Sequence, residues 1–346
     1  MDKNDHYISL FACCLIVKGA SRATIVDIQR GSYIFIPLEI ASLLSSENKS
    51  SINDLLIPYS TEDQSEIIIF FQHLIDQEYA FYTMEPELFP EISKEFKVHN
   101  LITNAILDFD ADSDYEVANV ILQLENMGCQ TIEIRCFQIL PISIISNLIF
   151  LIQNGLGVVR NVQLLICYDR TVQESKYADL LNKVSRLTSI TIHSSPINES
   201  HPFQEETKRI NYIKQKVSNE THCGYISPGY FTINKSTFLE SQSYNSCLNR
   251  KISIDVKGNI KNCPALKQSF GHFKQVNLSD VLQDDRFINK WSIKKDDIRT
   301  CKDCEFRYIC TDCRAFQEDD GDEFFKPLKC SYDPYSMTWS EDFFNK

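Results

Sequence analysis

Eight of the thirteen cysteines in this 346-residue chain fall between Cys223 and Cys330, and their spacing restricts what that region can fold around. After Cys223 come Cys247, ten residues, Gly258, four residues and Cys263. A 37-residue gap leads to C-x2-C-x5-C-x2-C at Cys301, Cys304, Cys310 and Cys313, and sixteen residues later stands Cys330. In a chain of cytosolic character, thiols this dense read as metal or cluster ligands before they read as disulfides. The cytosolic character is itself an expectation. Met1 is followed by Asp2, Lys3, Asn4, Asp5 and His6 rather than by a signal peptide, and no apolar run reaches membrane-spanning length.

The composition, 43% hydrophobic and 24% charged, is ample for large cores, and the length suits two or three domains. A net charge of −12 argues against a general nucleic-acid binder, whose grip rests on neutralising phosphates. Only ten glycines are present, and neither common nucleotide-binding glycine pattern occurs. The close pair Gly155 and Gly157 falls between a helix and a strand rather than after a strand.

Residues 1–95 read as strand (Ile8 to Val17), turn, strand (Arg22 to Ile28), strand (Ser32 to Ile36), a helix opened by Pro37, and a short helix at Ile52 to Ile57. A longer helix capped near Thr61 runs through Asp76, and Tyr79 to Thr83 forms a closing wing: a small winged-helix plan. Cys13 and Cys14 sit in the first strand as packing thiols on opposite faces. Residues 96–222 alternate strands (Asn104 to Phe109, Thr131 to Cys136, Asn161 to Cys167, Ser189 to His193) with helices, ending in a helix over Ser200 to Lys216. This predicts a mainly parallel sheet, a partial β/α barrel or open sheet, since four units cannot close an eightfold barrel. Asp108, Asp110, Arg135, Asp169 and His193 lie at strand ends, where sites form but where polar residues are more often structural. Cys129, Cys136 and Cys167 lack ligand spacing and read as packing thiols.

In residues 223–346, Cys247 leads into an alternating strand at Lys251 to Val256, a turn at Lys257-Gly258-Asn259 and a return to Cys263, so a hairpin brings Cys247 and Cys263 to one end. Cys301-x2-Cys304 forms a knuckle that can aim both thiolates at one centre, and Cys310-x2-Cys313 can do the same or split between two. Leu278 to Trp291 reads as an amphipathic helix, and Glu318 to Glu323 as a solvated acidic loop.

This array resembles the SPASM domain of radical-SAM peptide maturases over roughly residues 245–335. Cys247, Gly258, Cys263, Cys301, Cys304, Cys310 and Cys330 match its pattern, while Cys313 follows Cys310 one residue early. The resemblance implies two four-iron clusters, [4Fe-4S], one on Cys301, Cys304, Cys310 and Cys330. The other would rest on Cys247, Cys263 and Cys313, with a fourth position open or supplied by Cys223, His222 or His272, each more readily an unliganded side chain. Zinc is the alternative, because four-thiolate knuckles use the same spacing.

The layout of residues 1–95 resembles the peptide-recognition domain of ribosomal-peptide maturases, in which a leader peptide adds a strand to an exposed sheet edge; a structural cap is the plainer reading. The C-x3-C-x2-C motif that holds the SAM cluster is absent: Asn104 to Phe109 runs into Asp110 to Asp114 without a cysteine. A recognition-like front, a barrel without its SAM cluster and a SPASM tail together resemble the SPASM-domain maturases of grasp-with-spasm (graspetide) systems. That resemblance implies a precursor leader peptide and an ATP-grasp ligase as partners, with neither nucleic acid nor membrane. It supplies no catalytic constellation. The alternatives are an enzyme using an open-site cluster as a Lewis acid and a zinc-stapled scaffold.

Overall fold

The computed structural model describes residues 6–45, 50–113, 115–203, 207–318 and 321–340. They divide into two compact units that cut across chain order. The first draws on Met1–Lys97, Ile226–Ser246 and Ile293–Lys346, and the second on Val98–Tyr225 and Cys247–Ser292.

In the first unit, β1 (Tyr7–Leu10), β2 (Cys14–Lys18), β3 (Ala23–Asp27) and β4 (Ser32–Ile36) precede α1 (Leu38–Leu43), α2 (Ile52–Leu56), α3 (Thr61–Asp76) and β5 (Ala80–Thr83). Strands β2, β3 and β4 form an antiparallel meander. The expected single strand over Ile8 to Val17 is broken by a turn at 11–13, where the Cys14 amide donates to the Phe11 carbonyl. Its first half, β1, leaves the meander and pairs with β5, so the expected wing belongs to a separate two-stranded ribbon. The cap of α3 is Ser60, one residue before the expected Thr61; its hydroxyl accepts from the Asp63 amide.

All five residues of β3 are buried because the strand is covered on both faces. Ala23 and Ile25 pack with Ile40, Leu55, Phe71 and Leu74 of the helices. Val26, on the other face, packs with Phe306, Ile309, Cys310 and Tyr332 from the cysteine-rich tail. Burying a branched aliphatic side chain contributes about 1.5–3 kcal/mol, so Ile25 and Val26 tie β3 to the layers on its two faces.

The second unit holds one eight-stranded sheet. Its first six strands are β6 (Asn104–Asp108), β7 (Thr131–Arg135), β8 (Asn161–Cys167), β9 (Leu187–His193), β10 (Glu199–Phe203) and β11 (Lys208–Tyr212). The last two are β12 (Lys251–Ile254) and β13 (Ile260–Lys261). The order β10-β11-β9-β8-β7-β6-β12-β13 is parallel through the middle and antiparallel at both edges. Helices α4 (Val117–Asn126), α5 (Ile142–Gln153) and α6 (Glu174–Lys183) connect successive strands, as the alternation implied. Leu124, Ile132, Ile149, Ile152 and Ile190 are fully buried in the core they share.

The helix expected over Ser200 to Lys216 is instead the hairpin β10–β11, with residues 204–206 outside the described residues. Ile210 and Tyr212 are buried at alternate positions of β11 beside β9, and Pro202 is tolerated because β10 is an edge strand. The amphipathic helix expected over Leu278 to Trp291 breaks into Leu278–Val281 and Asp285–Ser292. Asp114, and residues 319 and 320 of the expected acidic loop, also lie outside the described residues. Among the described residues, no helix is long and apolar enough to cross a membrane.

Candidate metal centres

Cys301 opens a single helical turn, Cys301–Asp303, entered through Thr300 in the left-handed region at φ +66°. The Cys304 amide donates to the Cys301 carbonyl at 3.0 Å, which closes the knuckle, and the Cys310 amide donates to the Phe306 carbonyl at 3.0 Å. Cys330 joins the same unit through a parallel bridge to Ile226. Cys301, Cys310 and Cys313 are buried, and Cys304 and Cys330 are half-buried.

Three charged side chains are buried beside these thiols. Lys295 is 4% exposed, and its Nζ lies 3.5 Å from Cys310 Sγ and 3.6 Å from Asp312 Oδ1. Arg314 Nη2 donates to the same Asp312 oxygen at 2.7 Å, and Asn245 donates to the other at 2.6 Å. Arg314 Nη1 donates to the Glu323 and Phe325 carbonyls, while its Nε is buried without a partner. Among the described residues, Asp312 is the carboxylate that pairs with both cations, so the group carries two positive charges and one negative. An uncompensated buried ion costs several kcal/mol. Neutral thiols do not answer that charge; thiolates around a metal do. The donor set therefore fits an anionic thiolate–metal centre. Burial alone would lower Lys295, but Cys310, Cys301, Asp312 and Cys330 outweigh it and hold the ammonium protonated well above its usual range. Burial pushes the Cys310 thiol up to about 12 against the pull of Lys295.

The second unit carries the other group. The β12–β13 hairpin pairs Ser253 with Lys261, two residues before Cys263. Lys251 Nζ donates to Cys247 Sγ at 3.2 Å. Gly258 turns the hairpin at φ +78°, and a Cβ there would stand 2.7 Å from His272 Nε2, so the motif's glycine is required twice over. His272 is committed to this turn: its Nε2 pairs with the Lys257 carbonyl at 2.9 Å, and its Nδ1 accepts from the Lys274 amide at 3.1 Å. His222 sits in the short turn Glu220–His222. Cys223 is brought in from forty residues upstream. A hydrogen bond with Cys223, then burial, then Cys247, raise the Cys263 thiol well above its usual range. No sequence spacing connects Cys223 to Cys263. Cys313 belongs to the first unit and Cys247 and Cys263 to the second.

Among the described residues, the one group of three or more ligand atoms all within 4.8 Å of one another is Cys13, Cys14 and Asp27. A tetrahedral zinc with bonds of about 2.3 Å holds its sulfurs about 3.8 Å apart, so the tail thiols are not closed onto such an ion. A four-iron cluster holds its thiolates further apart. Cys13 and Cys14 do not alternate across a strand as expected: Cys13 lies in the turn before β2, and the two Sγ atoms are 3.9 Å apart. Asp27 is already occupied, accepting from the Gln29 and Arg30 amides at 2.8 Å and from Arg30 Nε at 2.5 Å. This cluster locks the turn after β3.

The polar strand ends are satisfied locally. Arg135 and Asp108 form a buried bidentate pair at 2.6 and 2.9 Å. Asp110 and Asp169 shape turns by accepting from Asp112 and Thr171 amides, and His193 Nε2 pairs with the Cys136 carbonyl at 3.2 Å. Cys129 and Cys136 are fully buried packing thiols, and Cys167 is half-buried.

No family model and no curated protein matches the chain. Among solved structures it is similar to Streptococcus suis SuiB bound to S-adenosylmethionine, at 11% identity over 93% of this chain and 99% of that one, with a TM-score of 0.36. SuiB bound to precursor peptide SuiA gives 11%, 89%, 96% and 0.33. SuiB alone gives 12%, 93%, 99% and 0.34. A likeness this remote carries no assignment of function.

Proposed function

We propose that this chain is a metal-cluster-binding maturation partner in ribosomal peptide biosynthesis. It holds the leader of a precursor peptide through its N-terminal region and works beside an ATP-grasp ligase, without SAM-radical chemistry. The observation that carries the metal half is the buried charge at Lys295, Asp312 and Arg314, which calls for anionic thiolates among Cys301, Cys304, Cys310 and Cys330. The order and spacing of Cys247, Gly258, Cys263, Cys301, Cys304, Cys310 and Cys330, as in the SPASM pattern, favour two four-iron clusters over zinc. Cys223 beside Cys263 adds a third thiolate to Cys247 and Cys263 within the second unit, and this favours a fuller ligand set over an open catalytic position. Such clusters supply structural support or one-electron redox capacity when bound.

Leader binding rests on residues 7–36 and 60–78. Strand β4 pairs on one side only among the described residues, which leaves an edge for strand addition. Helix α3 leaves Ile68 and Ile69 exposed. Titration with a labelled precursor tests this. Phe35→Pro, at a position of the edge strand β4 whose amide points away from β3, is expected to weaken binding at least tenfold through the lost backbone donor, with the circular dichroism spectrum retained. Unchanged affinity would remove strand addition from the account.

A further inference from the structure

Each cysteine group has a lysine on one of its sulfurs: Lys295 Nζ at 3.5 Å from Cys310 Sγ, and Lys251 Nζ at 3.2 Å from Cys247 Sγ. The two lysines come from unrelated positions, the first residue of the short helical turn Lys295–Asp297 and the first residue of β12. Ammonium groups on sulfur are uncommon neighbours for structural thiols, because a buried cation seeks carboxylate or carbonyl oxygen. Here Lys295 shares its one carboxylate, Asp312, with Arg314, and the local sum stays positive. Lys251 is half-buried.

We propose that Lys295 and Lys251 are dedicated counter-charges of two separate thiolate–metal centres, each setting the reduction potential of its own centre. The proposal rests on the cluster reading given above. The chemistry follows from charge alone. A cluster gains one negative charge when it takes up one electron, so a fixed cation on one of its sulfurs favours the reduced state and raises the potential. Neither lysine touches a reacting group in this scheme. Both are positioning residues, and nothing in the scheme requires either to titrate.

The two sites are not equivalent. At Cys310 the excess charge is uncompensated and buried, so the effect is larger. At Cys247 it is smaller, because partial exposure screens it. This asymmetry separates the potentials of two clusters that would otherwise share one ligand chemistry, with the Cys310 centre the easier to reduce.

The test uses full-length protein purified without oxygen, with iron and sulfide measured per chain and a redox titration followed by electron paramagnetic resonance. In Lys295→Met one midpoint is expected to fall while the other stays. In Lys251→Met the second is expected to fall by less, and Lys295→Arg restores most of the first. Lys302→Met, an exposed lysine in the same knuckle, is the control and leaves both midpoints in place. Iron-loaded Lys295→Met and Lys251→Met proteins with unshifted midpoints overturn the proposal while leaving the cluster reading intact. Wild-type protein without iron and sulfide overturns both. If Lys295→Met fails to load, Lys295→Gln and the Lys251→Met shift decide the outcome.

Discussion

Glu305 shows how closely the cysteine knuckle is tied to individual residues elsewhere in the chain. Its side chain is fully buried, accepts from Arg22 Nε and from the Tyr332 hydroxyl, both at 2.6 Å, and leaves its second oxygen without a partner beside Gly19. Arg22 also stacks on Phe35, 3.4 Å from the ring centre. Arg22→Met strands the Glu305 charge, and because Arg22 is partly exposed the expected loss is about 2–3 kcal/mol, below the cost of breaking a fully buried pair. Denaturant unfolding of metal-loaded protein measures it, and Glu305→Gln should recover part of the loss in the double variant. Gly258→Ala places a methyl group against His272 at positive φ, with an expected cost of about 1–3 kcal/mol. Removing the imidazole in His272→Ala should relieve the clash and leave only the backbone part. At Asp27 burial disfavours the charge, but the Arg30 amide and guanidinium and the Gln29 amide outweigh it and hold the carboxylate below its usual 3.8. A depressed carboxylate contributes stability above its unfolded value and loses it as pH falls through the folded one. Stability should therefore drop as pH falls through and below 3.8 in the wild type and less steeply in Asp27→Asn, as read from unfolding midpoints over that range.

At the scale of elements, the β2–β3 turn is fastened to the knuckle. The Ala20 amide donates to the Asp303 carbonyl at 2.7 Å, Arg307 donates to the Lys18 carbonyl at 2.6 Å, and Thr24 Oγ1 donates to the Glu305 carbonyl at 3.0 Å. Removing the metal loosens the knuckle, so amide exchange at 18–23 is expected to speed up on chelation while α3 stays protected, measured by hydrogen exchange with mass readout. Much at this scale was legible in the sequence. The alternating strand at Lys251, the turn at Gly258 and the return to Cys263 announced their hairpin, β4 fell where its period put it, and α3 spans Thr61–Asp76 with its cap one residue earlier than expected. What local pattern does not encode is partnership across the chain. Residues 208–212 carry a period of two that only makes sense once β9 lies alongside. The pairing of β12 with β6 joins residues nearly 150 positions apart. Cys223 meeting Cys263, and a lysine meeting each sulfur group, leave no spacing to read, because the fold and not the chain makes them neighbours.

For the molecule as a whole, two compact units each carry one group of cysteines and one lysine on sulfur, and the first unit also carries the N-terminal sheet. Metal binding to such a staple is folding free energy, so Cys301→Ala or Cys304→Ala should lower metal content and unfold the tail of the first unit. Thermal melting followed by circular dichroism should show an earlier transition in both variants, and unchanged metal and melting would detach these residues from any centre. The account depends most on what the thiols hold. The measurement that tests it most directly is iron, acid-labile sulfide and zinc per chain, with the absorption spectrum, on protein purified without oxygen. About seven to eight irons with matching sulfide is the expected result for two four-iron centres. About one to two zincs with no sulfide would contradict it and leave the tail a structural staple.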